Sequence, residues 1–295
     1  MGSRIARKLS REGHTVLVWN RSPEPASDLI REAPQIKAYP SVEALLVGLS
    51  KPRIVWLMLP AGDPTESVLT EVLKLVAKDD IVVDGGNSNF KDTQRRYEEL
   101  KSRGVRFLGI GVSGGVLAEE NGYPQMVGGD KSAYEHIAPI LDSLAKPNGG
   151  HQYFGEGGAG HFVKMVHNGI EYGTMQSLGE GFEVLSKSPY SLDLLSVAKL
   201  WQKGTLVSGF MLDRAVDVLT SDPTLEDVVG SIAQSGEAKW TVEQAKEEGV
   251  NVEIIERSLE YRKRSQADPK IQESFTAKLV ASLRNAFGGH EVKKQ

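Results

Sequence analysis

The sequence contains no cysteine, which excludes disulfides, zinc ribbons and thiol catalysis. No apolar run approaches the roughly 20 residues that cross a bilayer. No signal-peptide core opens the chain, because Arg4, Arg7, Lys8, Arg11 and Glu12 interrupt it. An excess of positive charge is missing too. With 35 Lys and Arg against 39 Asp and Glu, the net charge is −4, which argues against a dedicated nucleic-acid binder. The six histidines are scattered and form no HExxH-like cluster, so no metal is expected. These absences point to a soluble, cytoplasmic protein with no nucleic-acid and no membrane partner. What is present is an ordinary globular balance, 40% hydrophobic and 25% charged over 295 residues, enough for two domains.

Residues 1–155 alternate short apolar runs with amphipathic segments. Strands are expected at 14–19, 53–59, 80–85, 105–112 and 123–129, and helices at 24–33, 41–49, 64–77, 90–103 and 131–145. That spacing implies an α/β fold, a doubly wound and mostly parallel sheet of the Rossmann type, covered on both faces. Residues 156–295 read as an all-α domain. One long helix runs over 158–188, followed by helices at 191–202, 206–219, 224–234, 237–249, 251–265 and 271–286. The opening "MGSRIARKLSREGHTVLVWNRS" reads as the first helix of a nucleotide-binding βαβ unit, with Gly2 at its start, running into a strand. Such a unit begins with a buried strand and a glycine-rich turn. A strand missing from the middle of the sheet, between 14–19 and 53–59, is therefore expected to lie upstream of Met1.

Ligands of an open α/β sheet bind at the strand ends. The strand at 14–19 ends in Asn20, Arg21 and Ser22, where an NAD-binding unit usually has an acid for the ribose hydroxyls. A neutral position followed by a cation and a small hydroxyl suits a 2′-phosphate, hence NADP; the other reading is a surface arginine in an ordinary loop. The strand at 53–59 ends in Leu59 and Pro60. "VDGGNSNFKDT" places Asp84, two glycines, Asn87 and Ser88 after a strand. Adjacent glycines admit a ligand or another backbone, Asn87 can recognise a polyol, and Ser88 or Asn89 can cap the next helix. Ser113-Gly114-Gly115 offers bare amides to an anion.

The long helix carries "KMVHNGIEY". At about 100° per residue, Lys164, His167, Asn168 and Glu171 share one face, with Tyr172 at its edge. A solvated stripe is the ordinary explanation. The apolar neighbours Phe162, Val163, Met165, Val166 and Ile170 argue instead for a buried helix. So do Gly169, Gly173, Gly179 and Gly181, each of which costs a helix interior about 1 kcal/mol unless something packs closely there. A buried lysine can act as a base and a nearby carboxyl as an acid. Lys239, Thr241, Arg262, Arg264, Arg284 and His290 supply cations and a hydroxyl over the second half, either ordinary surface charge or a converging phosphate site.

"VDGGNS", "GVSGG…MVGG", "KMVHNGIEY" and "RNAFGGH" occur in this order. The chain resembles the decarboxylating 6-phosphogluconate dehydrogenases in their shorter bacterial-type form, over essentially its whole length. The resemblance implies oxidative decarboxylation of 6-phosphogluconate to ribulose 5-phosphate with NADP. Lys164 would be the general base and Glu171 the acid, with His167 and Asn168 beside them. Asn87, Ser113, Gly114, Gly115, His167 and Asn168 would hold the sugar acid. Tyr172, Lys239, Arg262 and Arg284 would hold the phosphate, with Arg264 a possible replacement for Arg262. Gly2, Asn20, Arg21, Ser22, Leu59, Pro60 and Asn87 would face the cofactor. Arg284 and His290 would enter from a neighbouring subunit of a homodimer or larger homo-oligomer. The family's Gly-x-Gly-x-x-Gly turn is matched only at its last two positions, Met1 and Gly2. The alternatives are a 3-hydroxyacid dehydrogenase that does not decarboxylate, and a form that binds sugar phosphate without turnover.

Overall fold

The run Ile81–Val83 has no polar face, and the strand it forms, β4 (Ile81–Asp84), is buried throughout. The computed structural model describes residues 1–294 and divides into two compact units, Met1–Met165 and the remainder from Val166. In the first unit β4 lies inside a five-stranded sheet of order β3 (Ile54–Leu57), β4, β5 (Arg106–Val112), β6 (Pro124–Gly129), β7 (Gly150–Gly155). All neighbours are parallel except β5 and β6, which run antiparallel. Because side chains alternate across a strand, Val55, Val82 and Phe107 face one way. They pack on α3 (Val42–Val47), α4 (Asp63–Val72) and α5 (Phe90–Ser102) through Leu46, Leu69, Val72, Tyr97 and Leu100. Ile81, Val83, Leu108, Ile110 and Val127 face the other way, against Ala133, Ile137 and Leu141 of α7 (Lys131–Ala145).

A separate two-stranded sheet pairs β1 (Leu17–Val18) with β2 (Lys37–Ala38) in parallel, next to α1 (Gly2–Arg11) and α2 (Pro23–Glu32). No ladder joins β1 to β3 among the described residues. Two strands, β2 and β7, go beyond the expected set. The first is two residues long, and the second is an edge strand whose polar residues mask its pattern. A 3-10 turn (Gly115–Leu117) and α6 (Ala118–Asn121) link β5 to β6.

The division between units falls within the long helix α8 (Ala159–Ser186). In the second unit Met175 and Phe182 of α8 join Leu212, Ala215 and Leu219 of α10 (Phe210–Ser221) and Ala277, Val280 and Leu283 of α14 (Phe275–Gly288) in one core. Around it lie α9 (Leu194–Trp201), α11 (Glu237–Glu248), α12 (Glu253–Ser265) and α13 (Pro269–Gln272). Close packing explains two helical glycines. A Cβ on Gly169 would stand 2.9 Å from Thr241 Cγ2, and one on Gly179 would stand 3.0 Å from Val280 Cγ2. Gly181 meets nothing, and no packing accounts for it. Residues 224–234, expected as a helix, are not helical. The amides of Val229, Gly230 and Ile232 donate to Lys293, Gln272 and Ser265 Oγ rather than to residues four back. Leu225, Val228 and Ile232 reach the core from this irregular path. No helix among the described residues is long and apolar enough to cross a membrane.

Candidate active site

In the first unit the parallel strands β3, β4 and β5 end at one edge of the sheet, which carries Leu59, Pro60, Asn87 and the Ser113-Gly114-Gly115 turn. The two glycines after Asp84 serve the protein's own packing. A Cβ on Gly85 would fall 2.2 Å from Trp56 Nε1, and one on Gly86 would fall 2.5 Å from the Leu59 carbonyl oxygen. Asn89, not Ser88, caps α5, accepting from the Lys91 amide at 2.9 Å. Ser88 donates to Asp84 at 2.6 Å instead. Gly2 opens α1 beside this edge, where a Cβ would lie 3.2 Å from Met58 Cβ. Gly114 and Gly115 take φ of 92° and 58°, a pair of left-handed residues that only glycine adopts without strain. Asn20, Arg21 and Ser22 are exposed after β1, and Asn20 Nδ2 donates to the Ser22 carbonyl.

Lys164 belongs to the same unit. Its Cβ occupies the space a side chain on Gly111 would need, 2.2 Å from an ideal Cβ there. The first turn of α8 is drawn onto the sheet by a further glycine contact. A Cβ on Gly160 would meet the Gly109 carbonyl oxygen at 2.4 Å and the Gly128 amide nitrogen at 2.5 Å. Lys164 is thereby buried over the end of β5, two residues before Ser113.

The helix continues unbroken past Met165, so the expected face holds. In the second unit Asn168 is buried, and its Oδ1 lies 3.0 Å from His167 Nδ1. Glu171 stands 3.9 Å from the same imidazole nitrogen. One supporting argument fails, because Ile170 is exposed. Burial of this face rests on Asn168 and Tyr172 instead.

Tyr172 leads into a cationic cluster. The Arg262 guanidinium stacks 3.2 Å from the centroid of the Tyr172 ring, and one of its nitrogens has no hydrogen-bond partner among the described residues. Burial pushes the Arg262 pKa down to about 10, with Tyr172 opposing and Arg284 adding to the shift, so it stays charged at neutral pH. Arg284 is buried and is also lowered by burial, against the fields of Tyr172, Glu171 and Glu237. His290 lies within electrostatic reach of Arg284, Glu237 and Arg262. Arg264 is exposed and sits over Tyr261, away from the Tyr172 ring that Arg262 covers. Lys239 is exposed, pairs with Glu243 at 3.6 Å, and is not among the groups acting on Arg284 or His290. Thr241 is buried against Gly169.

Arg284 and His290 therefore stand among residues of their own chain. The tail folds back on its own unit: Asn285 Nδ2 donates to the His290 carbonyl at 2.7 Å, and Val229 donates to Lys293 at 2.9 Å.

Two family models account for the chain. Residues 1–158 match the NAD binding domain of 6-phosphogluconate dehydrogenase, and residues 160–295 match the 6-phosphogluconate dehydrogenase C-terminal domain. The chain belongs to the 6-phosphogluconate dehydrogenase family. It is 38% identical over 298 residues to an NAD(+)-dependent, decarboxylating 6-phosphogluconate dehydrogenase of Haloferax volcanii, covering 100% of this chain and 96% of that one. It is 37% identical over 273 residues to an NADP(+)-dependent, decarboxylating enzyme of Bacillus subtilis, covering 88% of this chain and 58% of that one. Among solved structures it resembles Plasmodium falciparum 6-phosphogluconate dehydrogenase, studied in apo form and with its cofactor NADP+ and its substrate 6-phosphogluconate. The TM-score is 0.82 at 32% identity, over 90% of this chain and 60% of that one.

Within this 6-phosphogluconate dehydrogenase fold, sequence reading missed several buried polar groups. Glu237, in the first turn of α11, is 2% exposed and neither carboxylate oxygen has a hydrogen-bond partner among the described residues. Arg96 and His161, also buried, flank the Asn87 turn and Lys164. A charged residue two places from a candidate cation is the only sequence signal for Glu237. Arg96 and His161 look like ordinary helix residues until their partners are known.

Proposed function

We propose that the chain is a decarboxylating 6-phosphogluconate dehydrogenase that uses NADP, with residues 1–155 as cofactor domain and 156–295 as substrate and oligomerisation domain. The observation that carries this reading is the placement of Lys164 over Gly111, at the head of the unbroken helix face that continues through His167, Asn168 and Glu171. The residues at the sheet edge fit a dinucleotide. Gly2 leaves the start of α1 bare beside Met58, Leu59 and Pro60 border it, and Arg21 is exposed after β1 for a 2′-phosphate. When bound, the nicotinamide supplies the hydride acceptor for C3 of the substrate.

Lys164 takes the proton of the C3 hydroxyl as hydride leaves C3. The 3-keto acid so formed loses C1 as CO2, because the electrons of the breaking bond flow into the carbonyl, so no metal is needed. Lys164 returns its proton to that oxygen, giving the enediol. Glu171 protonates the carbon that lost CO2, which yields ribulose 5-phosphate. Asn87, Ser113, Gly114, Gly115, His167 and Asn168 bind the sugar acid. Tyr172, Lys239, Arg262 and Arg284 bind the phosphate, with His290 beside Arg284, since buried guanidinium groups are strong phosphate ligands. Leu200, Leu206, Val207 and Phe210 are exposed in the helical unit, an apolar surface that supports a homo-oligomer.

The test is product analysis. Incubation with 6-phosphogluconate and NADP+ should yield CO2, NADPH and ribulose 5-phosphate in equal amounts. Reduced cofactor without CO2 would favour a 3-hydroxyacid dehydrogenase. Binding of 6-phosphogluconate without either product would favour a form that does not turn over.

A further inference from the structure

The turn that carries Asn87 is built around a carboxylate that solvent does not reach. Asp84 closes β4 and is fully buried. One of its oxygens accepts from the Gly86 amide at 3.1 Å. The other accepts from Ser88 Oγ at 2.6 Å and from Arg96 Nη1 at 2.8 Å. Arg96, on α5, is equally buried, and its Nη2 and Nε donate to Glu66 of α4 at 2.8 and 3.1 Å. From Ile81 to Ser88 every residue is buried except Asn87. The carboxylate folds the turn around itself and leaves one side chain facing outward.

A second arm reaches from the same helix to Lys164. His161 lies in the first turn of α8, three residues before Lys164, and is 1% exposed. Its Nδ1 is 2.7 Å from Thr93 Oγ1. Thr93 is three residues before Arg96 on α5, hence on the same face of that helix. Gly109 makes room for the contact, because a Cβ there would meet Thr93 Cγ2 at 2.5 Å and His161 Nδ1 at 3.0 Å. Burial lowers the imidazole pKa, with Asp84 raising it and Arg96 lowering it. α5 thus holds the Asn87 turn through Arg96 and the Lys164 helix through Thr93.

Buried ion pairs are seldom the most stabilising way to fill a core, and their best-attested use is to select one arrangement. We propose that Asp84, Arg96 and His161 are positioning residues that hold Asn87 and Lys164 at a fixed separation, with α5 as the bracket between them. None of the three is accessible to a substrate. The proposal rests on the function given above only in naming 6-phosphogluconate as what Asn87 and Lys164 address.

Removing Asp84 or Arg96 outright would strand a buried charge and threaten the fold, so smaller changes make the test. Thr93→Val keeps the side-chain shape and removes the hydroxyl that His161 engages. Ser88→Ala removes one bond to Asp84. Each should lower kcat about tenfold to a hundredfold, the scale of a misplacement of about 1 Å. KM for 6-phosphogluconate should change by less than about threefold. In parallel, modification of Lys164 by trinitrobenzenesulfonate is followed across pH by mass spectrometry. Thr93→Val should shift that profile, and Thr93→Ser, which keeps the hydroxyl, should restore it. Labelling needs no turnover. A wild-type protein inactive on 6-phosphogluconate would therefore defeat the functional reading while the labelling still judges the network. A loss of melting temperature with the Lys164 profile and kcat unchanged would show a purely structural role and overturn the proposal.

Discussion

Lys164 fills the space above Gly111 so closely that a Cβ at 111 would lie 2.2 Å from its own Cβ and 2.7 Å from its Cγ. Gly111→Ala should therefore displace the lysine while leaving the sheet intact. Overpacking of this kind costs about 1–3 kcal/mol, and kcat should fall about a hundredfold. Steady-state kinetics beside a thermal melt separates the two effects.

Arg262 is held by stacking on Tyr172, and one guanidinium nitrogen has no hydrogen-bond partner among the described residues. Arg262→Met should raise KM for 6-phosphogluconate about tenfold to a hundredfold, the worth of one charge-assisted bond at about 1.5–3 kcal/mol. Arg264→Met, on the exposed side of α12, should leave KM within about twofold, as surface substitutions do.

The proposed preference for NADP rests on Arg21. Arg21→Ala should lower kcat/KM for NADP+ about tenfold and leave that for NAD+ unchanged, since only the 2′-phosphate loses a charge-assisted partner. Equal losses with both cofactors would remove Arg21 from the phosphate site.

Acid stability has a local source in Glu119. This buried residue of α6 accepts from Arg7 Nε and Nη2 of α1, each at 2.9 Å. The Arg7 bonds, then the charges of Arg7, Arg11 and Arg4, hold its carboxyl below the ordinary value against the opposing effect of burial. The folded pKa is the lower one, so the stabilisation is complete above the unfolded carboxyl range and is lost as pH falls through the folded value. Melting temperatures of wild type and Glu119→Gln should differ most above about pH 5 and converge toward about pH 3.

The parts of this molecule that local pattern dictates were legible in the sequence. The run Ile81–Val83 reads as a buried strand because it has no polar face. The spacing of Lys164, His167, Asn168 and Glu171 reads as one face because a helix repeats every 3.6 residues. What was hidden depends on partners distant in the chain. Residues 224–234 carry helical spacing, yet their amides bond Ser265, Gln272 and Lys293. The glycines of 85–86 read as room for a ligand or another backbone, and which neighbour takes it, the Trp56 side chain and the Leu59 carbonyl, shows only in the structure. Arg96 looks like one more cation on an amphipathic helix until Asp84 and Glu66 are seen to bury it. The supply of Arg284 and His290 in trans rests on the resemblance alone, because no local pattern in one chain encodes a contact between two.

The central claim is that Lys164 moves the proton that oxidation and decarboxylation both require. The most direct measurement is CO2 release by Lys164→Met, with 6-phosphogluconate binding followed by calorimetry on the same protein. We predict a fall in kcat of about 10²–10⁴, the contribution of a general base, with binding retained. Turnover within about tenfold of wild type would contradict the account.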